Sequence, residues 1–185
     1  MIHTSGSAGQ PKGVVVEQRA AVWLASWACW AASTIGADRL RRVLSATSLS
    51  LDVSLFELLG PLTCRGYVEV VRDLLALAQS SSAGSLISTA PTAMTGIPAI
   101  AEAPPVAQTV VLAGEASTAP ALRALRSAVS GCGMTNAHGP TETTVQVKAG
   151  DATEGPDLGD GPLPIGRPLP DVRCSFWTMR LGRYR

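Results

Sequence analysis

The sequence predicts an α/β fold in which a mainly parallel sheet is flanked by helices. Short apolar runs that suit buried strands alternate along the chain with segments whose apolar residues recur at helical spacing. Glycine or proline marks most of the junctions between these segments. Because two parallel strands need a crossover connection, usually a helix, this alternation favours a parallel sheet over an antiparallel one.

The first predicted elements are a short buried strand at 14–16 and a helix at 18–35 that ends at Gly36. The helix carries tryptophans 23, 27 and 30 at i, i+4 and i+7, so the three indoles share one face. We interpret this stripe as part of the core rather than as a ligand site. The apolar stretch is too short, and too interrupted by serine and threonine, to span a bilayer.

The next strand is predicted at 42–45, after which the alternation of Leu49, Leu51 and Val53 passes into a helical pattern. Asp52 therefore lies at a predicted junction between strand and helix. The remaining predictions are strands at 67–71, 85–89 and 109–113 and helices at 73–79, 91–101 and 120–130. Pro91 lies in the first turn of the helix predicted at 91–101, and Gly131 follows the helix predicted at 120–130.

The composition bounds the class of protein. A chain of 185 residues is long enough for one domain with its own core, and 46% hydrophobic against 16% charged residues indicates a folded chain. The net charge of +1 gives no electrostatic reason to expect a nucleic-acid or membrane partner. The four cysteines form no C-x-x-C pair, so neither a zinc site nor a disulfide framework is expected. Reduced thiols and the lack of a signal peptide predict a cytoplasmic location.

The most informative stretch is IHTSGSAGQPKGV, at 2–14. Its glycines allow backbone amides to approach a ligand, its hydroxyls add donors, and Lys12 adds a mobile positive charge. A loop that holds phosphate needs these groups. The P-loop pattern G-x-x-x-x-G-K-[ST] does not fit, because Pro11 replaces its second glycine and Gly13 its hydroxyl. A flexible serine and glycine linker is the plain alternative, but it gives no reason for Pro-Lys-Gly at this offset.

Two further stretches carry polar residues at predicted loops. The first, ATSLSLDVSLFELLGPL at 46–62, contains Asp52, for which a helix N-cap is the plain interpretation. The second, MTNAHGPTETTV at 134–145, contains Glu142, whose carboxylate suits the magnesium that accompanies a nucleotide. Its plain interpretation is a Gly-Pro turn with an exposed glutamate. Ligands gather beyond the carboxyl ends of parallel strands, where all three stretches are predicted to lie.

The three stretches resemble the motifs of one family. The loop at 2–14 resembles the pattern [ST]SG[ST]TGxPKG of the adenylate-forming, or AMP-binding, enzymes and departs from it at Ala8. The second stretch resembles the FDxSxxE motif of the adenylation domains of nonribosomal peptide synthetases, with Leu51 in place of phenylalanine. The third resembles their NxYGPTE motif, with His138 in place of tyrosine. The resemblance implies the central part of the large N-terminal domain of the adenylate-forming fold.

The resemblance also implies which residues bind ligands. The implied ATP contacts are Thr4, Ser5, Gly6, Ser7, Gly9, Lys12, Gly114, Glu115, Asn136, His138, Gly139 and Thr141. Glu142 would hold Mg²⁺, and Asp52 would pair with the α-ammonium of an amino acid, a group that acyl and aryl acids lack. The implied substrate pocket consists of Asp52, Val53, Phe56, Ser88, Val111, Ala113, Ala137, Val145 and Gln146. This lining is small and mostly apolar, which indicates a small neutral amino acid such as alanine.

The implied reaction joins an amino acid and MgATP to give aminoacyl-AMP and pyrophosphate, followed by thioester formation on the phosphopantetheine of a carrier-protein domain. This is the ligase step with which nonribosomal peptide synthetases begin secondary metabolite biosynthesis. Two alternatives remain open, namely an inactive remnant such as a pseudogene product and a fragment of an acyl- or aryl-CoA ligase. A hydrolase triad built on His3 or His138 is disfavoured, because the chain has no G-x-S-x-G turn.

The sequence divides into a partial adenylation domain at 1–173 and an atypical tail at 174–185. Relative to the family, we expect the domain to be truncated at both ends and inactive alone. The tail does not continue the family pattern. If its residues are written as GC-rich codons and these codons are read in another frame, they encode Val-Leu-Val-Leu-Asp, which does continue the pattern. We therefore hypothesise a frameshift. Sequencing of the gene tests this, and the lack of that second reading frame would contradict it.

Overall fold

The computed structural model describes residues 1–4, 10–20, 22–23, 36–80, 82–97, 106–129, 131–152, 159–177 and 183–184. The described strands are β1 (Ile2–Thr4), β2 (Lys12–Val14), β3 (Arg42–Ser45), β4 (Tyr67–Val70), β5 (Ala83–Thr89), β6 (Val106–Leu112), β7 (Gly133–His138), β8 (Lys148–Asp151), β9 (Arg167–Pro168), β10 (Phe176–Trp177) and β11 (Arg183–Tyr184). The described helices are α1 (Val53–Thr63), α2 (Leu74–Ala78), α3 (Pro91–Gly96) and α4 (Ala119–Ala128), with 3₁₀ turns at Ala37–Leu40 and Thr141–Thr143.

Within these residues, seven strands form one sheet in the order β4-β3-β5-β6-β7-β8-β9. The pairs from β4 through β7 are parallel, whereas β7 with β8 and β8 with β9 are antiparallel. This arrangement confirms the predicted α/β fold with a mainly parallel sheet. The carboxyl ends of β3, β5, β6 and β7 consequently lie along one edge of the sheet.

Alternate residues of each strand divide the core between the two faces of the sheet. On one face, Val111 of β6 packs in a buried cluster with Phe56 of α1. On the other face, Val110 packs in a second cluster with Met94 of α3 and Leu122 of α4. Helices thus cover both faces, which explains why the central strands are apolar on both sides.

Helix α4 begins where its sequence predicts. Thr118 is its N-cap and accepts a hydrogen bond from the Ala121 N–H at 3.4 Å. Pro120 lies in the first turn, where the N–H that proline lacks would have no partner within the helix. Leu122 and Leu125 are buried on the side that faces the second cluster. The helix is therefore defined at its start by capping and along its length by one apolar face.

The prediction of a buried strand at 14–16 is wrong. The strand is β2, and it pairs antiparallel with β1, with Thr4 opposite Lys12. The two strands form a sheet of their own, and Val15 beyond them is 73% exposed. The three valines suit a buried strand locally, but the preceding residues pair with the N-terminal segment instead. The hairpin therefore brings Thr4 and Lys12, near the two ends of the phosphate-loop motif, side by side.

The alternation before α1 also does not form a strand. The chain turns after β3, and Leu49 and Leu51 are 68% and 52% exposed. Asp52 follows this turn directly and precedes α1. Apolar alternation misleads here because the residues that carry it are not buried by any neighbouring element.

Other differences concern element lengths and strands that the sequence did not reveal. The helix predicted at 91–101 is helical to Gly96, and 98–105 lie outside the described residues. The helix predicted at 18–35 is helical at 18–20 and 22–23, whereas tryptophans 27 and 30 also lie outside them. Strands β7, β8 and β9 have no counterpart in the prediction, because sequences such as GMTNAH and KAGD lack clear apolar alternation.

The tail forms a separate element. Strands β10 and β11 pair antiparallel with each other and lie outside the seven-stranded sheet. In the part of the chain that the structure describes, no helix combines the length and the apolar character that crossing a bilayer requires.

Candidate functional site

Two clefts open at the edge where the parallel strands end. The first, named here the Ser88 cleft, has a volume of about 260 Å³ and lies beyond β3, β5 and β6. The second, named the His138 cleft, has a volume of about 350 Å³ and lies beyond β6 and β7. Gly114 lines both clefts, and its φ of 88° is a conformation that glycine adopts without strain. A ligand with two parts can therefore place one part in each cleft, with the connection between them beside Gly114.

The predicted substrate pocket is divided between the clefts, since Ala137 lines the His138 cleft and three of the nine predicted residues line the Ser88 cleft. Val53 of α1, Ser88 of β5 and Ala113 after β6 line its walls. Six of the predicted pocket residues pack in or against a single buried cluster, namely Val53, Phe56, Val111, Ala113, Ala137 and Val145. Parallel pairing contributes to this arrangement, because Ser88 and Val111 are in register on adjacent strands and share one face of the sheet.

Asp52 occupies the N-cap position of α1 but does not cap the helix. Its φ of −64° and ψ of −30° are already helical, and its side chain accepts no hydrogen bond from the first turn. Asp52 is 9% exposed, and its Oδ2 has no hydrogen-bond partner among the described residues. Its neighbours Leu51 and Val53 both line the Ser88 cleft. Because an unpaired buried carboxylate is unfavourable, Asp52 suits a cationic ligand better than it suits the helix-cap interpretation.

Two other predicted pocket residues are polar and buried. Ser88 and Gln146 are each 1% exposed. Neither the Ser88 hydroxyl nor the Gln146 amide has a hydrogen-bond partner in the described ranges. Buried polar side chains in folded proteins are normally paired. These two groups are therefore available to another polar group.

Asn136 organises the walls of the His138 cleft. Its Nδ2 donates to the Pro164 carbonyl at 2.8 Å, and its Oδ1 accepts from the Ser117 hydroxyl at 2.9 Å. Both bonds tie β7 to segments that form the cleft, and Asn136 lines it together with His138 and Gly139. The Asn136 amide is therefore part of the cleft wall and is held in place by bonds that are already made.

Glu115 also has a local partner. It lines the His138 cleft, and its Oε1 accepts a hydrogen bond from the Thr92 N–H at 2.5 Å. Thr92 lies in the first turn of α3, whose N–H groups have no partner within the helix. The carboxylate thus fixes the loop after β6 to the start of α3.

The segment 139–146 closes tightly on itself. A Cβ at Gly139 would lie 2.5 Å from the Gln146 Cα, so only glycine fits there. Thr144 and Val145 have φ values of 64° and 67°, and the Gln146 N–H donates to the Thr144 carbonyl at 2.8 Å. Such a γ-turn is strained for β-branched residues. The strain lies beside the predicted pocket, as is common at functional sites.

Replacing Thr144 by glycine is expected to raise the free energy of unfolding by about 0.5–1 kcal/mol. The left-handed conformation costs an L-residue about 1–2 kcal/mol, and the greater chain entropy of glycine offsets about half of the gain. Urea unfolding measures the change. Thr143→Gly is the matched control, because Thr143 has no positive φ and should lose stability. Equal losses in the two variants would show that Thr144 carries no strain.

Lys12 of β2 forms an ion pair with Glu142 in the 3₁₀ turn after β7. The two residues are 130 positions apart in sequence. Their side chains are 55% and 47% exposed, so both groups remain accessible to a ligand. The hydrogen bond from Lys12 lowers the pKa of Glu142. The contact joins the residue predicted to hold phosphate to the residue predicted to hold Mg²⁺.

Replacing Lys12 by methionine is expected to raise the pKa of Glu142 toward that of an ordinary glutamate, because the cation that favours the carboxylate is removed. Carbon NMR titration of the glutamate carboxyl groups measures the shift. The Arg42–Glu69 pair, 2.6 Å apart at the start of β3, provides an internal control, since Arg42 likewise lowers the pKa of Glu69. The Glu69 pKa should not change, and an unchanged Glu142 pKa would contradict the ion pair.

The remaining phosphate-loop residues fit an anionic ligand where they are described. Thr4 lies opposite Lys12, and its Oγ1 is shielded from solvent with no partner in the described chain. Ser5, Gly6, Ser7 and Gly9 lie outside the described residues. A hydroxyl, an ammonium and an accessible carboxylate together suit phosphate with its divalent cation. Over the described ranges, no cluster of three or more His, Cys, Asp or Glu side chains could hold a metal.

Glu57 of α1 belongs to the site region although the site prediction does not include it. Its carboxylate accepts hydrogen bonds from the Ser45 hydroxyl at 2.7 Å and the Thr47 hydroxyl at 2.5 Å. Burial raises the pKa of Glu57, and the hydrogen bonds from Thr47 and Ser45 oppose that effect. Thr47 lines the Ser88 cleft, so Glu57 ties α1 to one of its walls. The signal was present in the sequence, because Glu57 is the glutamate of the stretch that resembles the FDxSxxE motif.

Comparison with known proteins decides the family. The family model described as AMP-binding enzyme matches residues 1–176. The chain belongs to this family. The matched region contains all three motif stretches, from the phosphate loop to Glu142.

This AMP-binding chain is similar over most of its length to parts of much longer synthetases. It is 34% identical over 172 residues to the AMB antimetabolite synthetase AmbB of Pseudomonas aeruginosa, covering 92% of this chain and 14% of that relative. It is 31% identical over 187 residues to a dimodular nonribosomal peptide synthase of Bacillus subtilis, covering 91% of this chain and 7% of that relative. The chain thus spans a small part of the length of these relatives.

Solved adenylation domains share the fold. The adenylation domain AlmE of Vibrio cholerae, in complex with glycyl-adenosine-5'-phosphate, matches with a TM-score of 0.81 and 20% identity, over 100% of this chain and 35% of that chain. The N-terminal subdomain of Klebsiella oxytoca NpsA, in complex with 3-hydroxybenzoyl-AMSN, matches with a TM-score of 0.77 and 21% identity, over 100% and 48%. These matches confirm the prediction of the N-terminal part of the adenylate-forming fold.

Proposed function

We propose that this chain is the part of an amino-acid-activating adenylation domain that binds ATP and the amino acid. The contact between Lys12 and Glu142 carries the proposal. It places an ammonium suited to phosphate beside a carboxylate suited to a hard cation, although the two residues are distant in sequence. MgATP presents both chemical groups in one ligand.

The nucleotide spans the His138 cleft and the hairpin. The adenosine occupies the cleft beside His138 and Gly139, with Gly114, Glu115 and Asn136 forming its walls. The phosphates face Thr4, Ser5, Gly6, Ser7, Gly9, Lys12 and Thr141. Glu142 would hold Mg²⁺, which would neutralise part of the phosphate charge when bound. Lys12 and Glu142 exchange their mutual contact for these partners.

The amino acid occupies the Ser88 cleft, with its ammonium on Asp52. The unpartnered buried oxygen of Asp52 supports this assignment, and the small apolar walls support a small neutral side chain. The two clefts meet at Gly114, where the carboxylate of the amino acid can reach the nucleotide. A carboxylate oxygen then forms a bond to the α-phosphorus, and pyrophosphate leaves with the electrons of the broken phosphoanhydride bond.

The product serves a partner domain. The aminoacyl group passes to the phosphopantetheine thiol of a carrier-protein domain and AMP is released, as a step of nonribosomal peptide biosynthesis in the cytoplasm. Similarity to a nonribosomal peptide synthase supports this context. We propose that this chain binds ATP and the amino acid but does not catalyse aminoacyl-AMP formation by itself.

Calorimetric titration of the full chain with MgATP tests the proposal. We expect binding that Lys12→Met weakens at least about tenfold, since a charge-assisted contact to phosphate is lost. Arg42→Met is the matched control. It breaks the ion pair with Glu69 at the start of β3, at the edge of the sheet away from the two clefts, and should leave MgATP affinity unchanged. Absence of MgATP binding by the folded wild-type chain would favour the inactive remnant.

Substrate-dependent pyrophosphate exchange separates the enzyme classes. Exchange stimulated by amino acids would support amino-acid activation and would show that the chain turns over alone. Exchange stimulated by a carboxylic acid without an amine, and not by amino acids, would favour an acyl- or aryl-CoA ligase. MgATP binding without exchange is the result that we expect.

A further inference from the structure

The Ser88 hydroxyl stands apart from the other buried serine hydroxyls. Ser88 is 1% exposed at the carboxyl end of β5, and its Oγ has no hydrogen-bond partner among the described residues. The other buried serines in the described chain all have hydrogen bonds, namely Ser45, Ser54, Ser85 and Ser117. Leaving a buried hydroxyl unpaired is unfavourable relative to alanine at the same place. The fold alone therefore gives no reason for serine at position 88.

The surroundings of Ser88 indicate which ligand would use this hydroxyl. Ser88 lines the Ser88 cleft, and every residue lining that cleft in the described chain is uncharged. Asp52 lies between two of the lining residues and also has an unpartnered buried oxygen. An anionic group suited to a cation thus lies next to the cleft in sequence, and the cleft lining itself contains a neutral hydroxyl that can both donate and accept and has no partner in the described chain.

The size of the cleft limits the ligand further. A volume of about 260 Å³ is below the range of about 300–1,000 Å³ that ligand pockets usually have. A charged side chain would lack a counter-charge among the lining residues, since Asp52 is assigned to the substrate ammonium. A short hydroxyl-bearing side chain is neutral and can pair with the serine hydroxyl in either direction.

We propose that Ser88 selects a small amino acid whose side chain carries a hydroxyl, over an apolar amino acid of the same size. The inference rests on the proposed function, which supplies the ammonium for Asp52. The inference narrows the proposed substrates from small neutral amino acids to those with a side-chain hydroxyl, and it disfavours alanine. A hydrogen bond formed only with a hydroxyl-bearing substrate discriminates against the analogue that lacks the group.

Calorimetric binding of seryl- and alanyl-sulfamoyladenosine to the full chain tests this proposal. These stable analogues of aminoacyl-AMP differ only by the side-chain hydroxyl. We expect the seryl compound to bind about tenfold more tightly, the effect of one neutral hydrogen bond. Ser88→Ala should weaken the seryl compound about tenfold, leave the alanyl compound unchanged, and keep or raise the melting temperature.

Ser85→Ala is the matched control on the same strand. Its hydroxyl donates to the Arg42 carbonyl at 2.9 Å and accepts from the Arg42 N–H at 2.8 Å, at the other end of β5. This variant should lower the melting temperature and keep the preference for the seryl compound. Equal binding of both compounds to the wild-type chain would overturn the assignment of Ser88 while leaving the proposed function standing. If neither compound binds the folded chain, the proposed function itself fails.

Discussion

Replacing Asp52 by alanine is expected to weaken the binding of aminoacyl sulfamoyladenosines at least about 30-fold without reducing the stability of the fold. Truncating one partner of a buried, hydrogen-bonded charge pair costs about 2–5 kcal/mol in binding, which corresponds to this loss or more. In the absence of ligand, however, Asp52 caps nothing and its Oδ2 has no partner in the described chain. Removing an unpaired buried carboxylate therefore leaves the free energy of unfolding equal or higher.

Asp73 provides a matched control for this result. It is the N-cap of α2, and its Oδ1 accepts from the Ala76 N–H at 2.7 Å. Asp73→Ala should lower the melting temperature, because a real cap is lost, while analogue binding remains at the wild-type value. Calorimetry measures binding, and circular dichroism measures melting. If Asp52→Ala instead destabilises the fold and retains affinity, Asp52 is a structural residue and the assignment to the substrate ammonium is wrong.

Replacing Glu57 by alanine has the largest expected effect on stability, a loss of about 2–4 kcal/mol in the free energy of unfolding. The variant leaves the hydroxyls of Ser45 and Thr47 without their acceptor and opens a cavity under α1. Urea unfolding measures the loss. Glu69→Ala at the partly exposed pair with Arg42 should lose much less, since such pairs contribute little. Similar losses in both variants would show that the buried network has no special role.

The pH dependence of stability isolates the charge of Glu57. Burial raises the pKa of Glu57 above that of an ordinary glutamate, 4.5. Its contribution to stability is therefore fully present below the unfolded pKa and is lost as pH rises through the folded pKa. Glu57→Gln keeps the shape but cannot ionise, so we expect wild-type stability to fall relative to this variant as pH rises above 4.5. Parallel pH profiles for the two proteins would contradict a raised pKa at Glu57.

Strand and helix order was predictable where local sequence and tertiary burial agree. The runs in β3, β5 and β6 are apolar because both faces of the sheet are covered, so their pattern survives in the sequence. Val15 and Leu49 show the opposite case, since their apolar neighbours suggested strands that no other element buries. Strand β7 was missed for a different reason. Its sequence lacks apolar alternation, and its place in the sheet is set by pairing with β6 and β8.

By itself, the sequence determined the family and the class of the fold. Pro-Lys-Gly after a glycine-rich loop, an aspartate before a helix and the Gly-Pro-Thr-Glu turn are local patterns, and binding chemistry constrains the residue types at fixed offsets. Only the tertiary structure decided that Lys12 contacts Glu142, that the Oδ2 of Asp52 is buried without a partner in the described chain, and that the Ser45 and Thr47 hydroxyls donate to Glu57. These contacts depend on how the strands and helices pack, and the side-chain geometry that results is not encoded in the local pattern of any one segment.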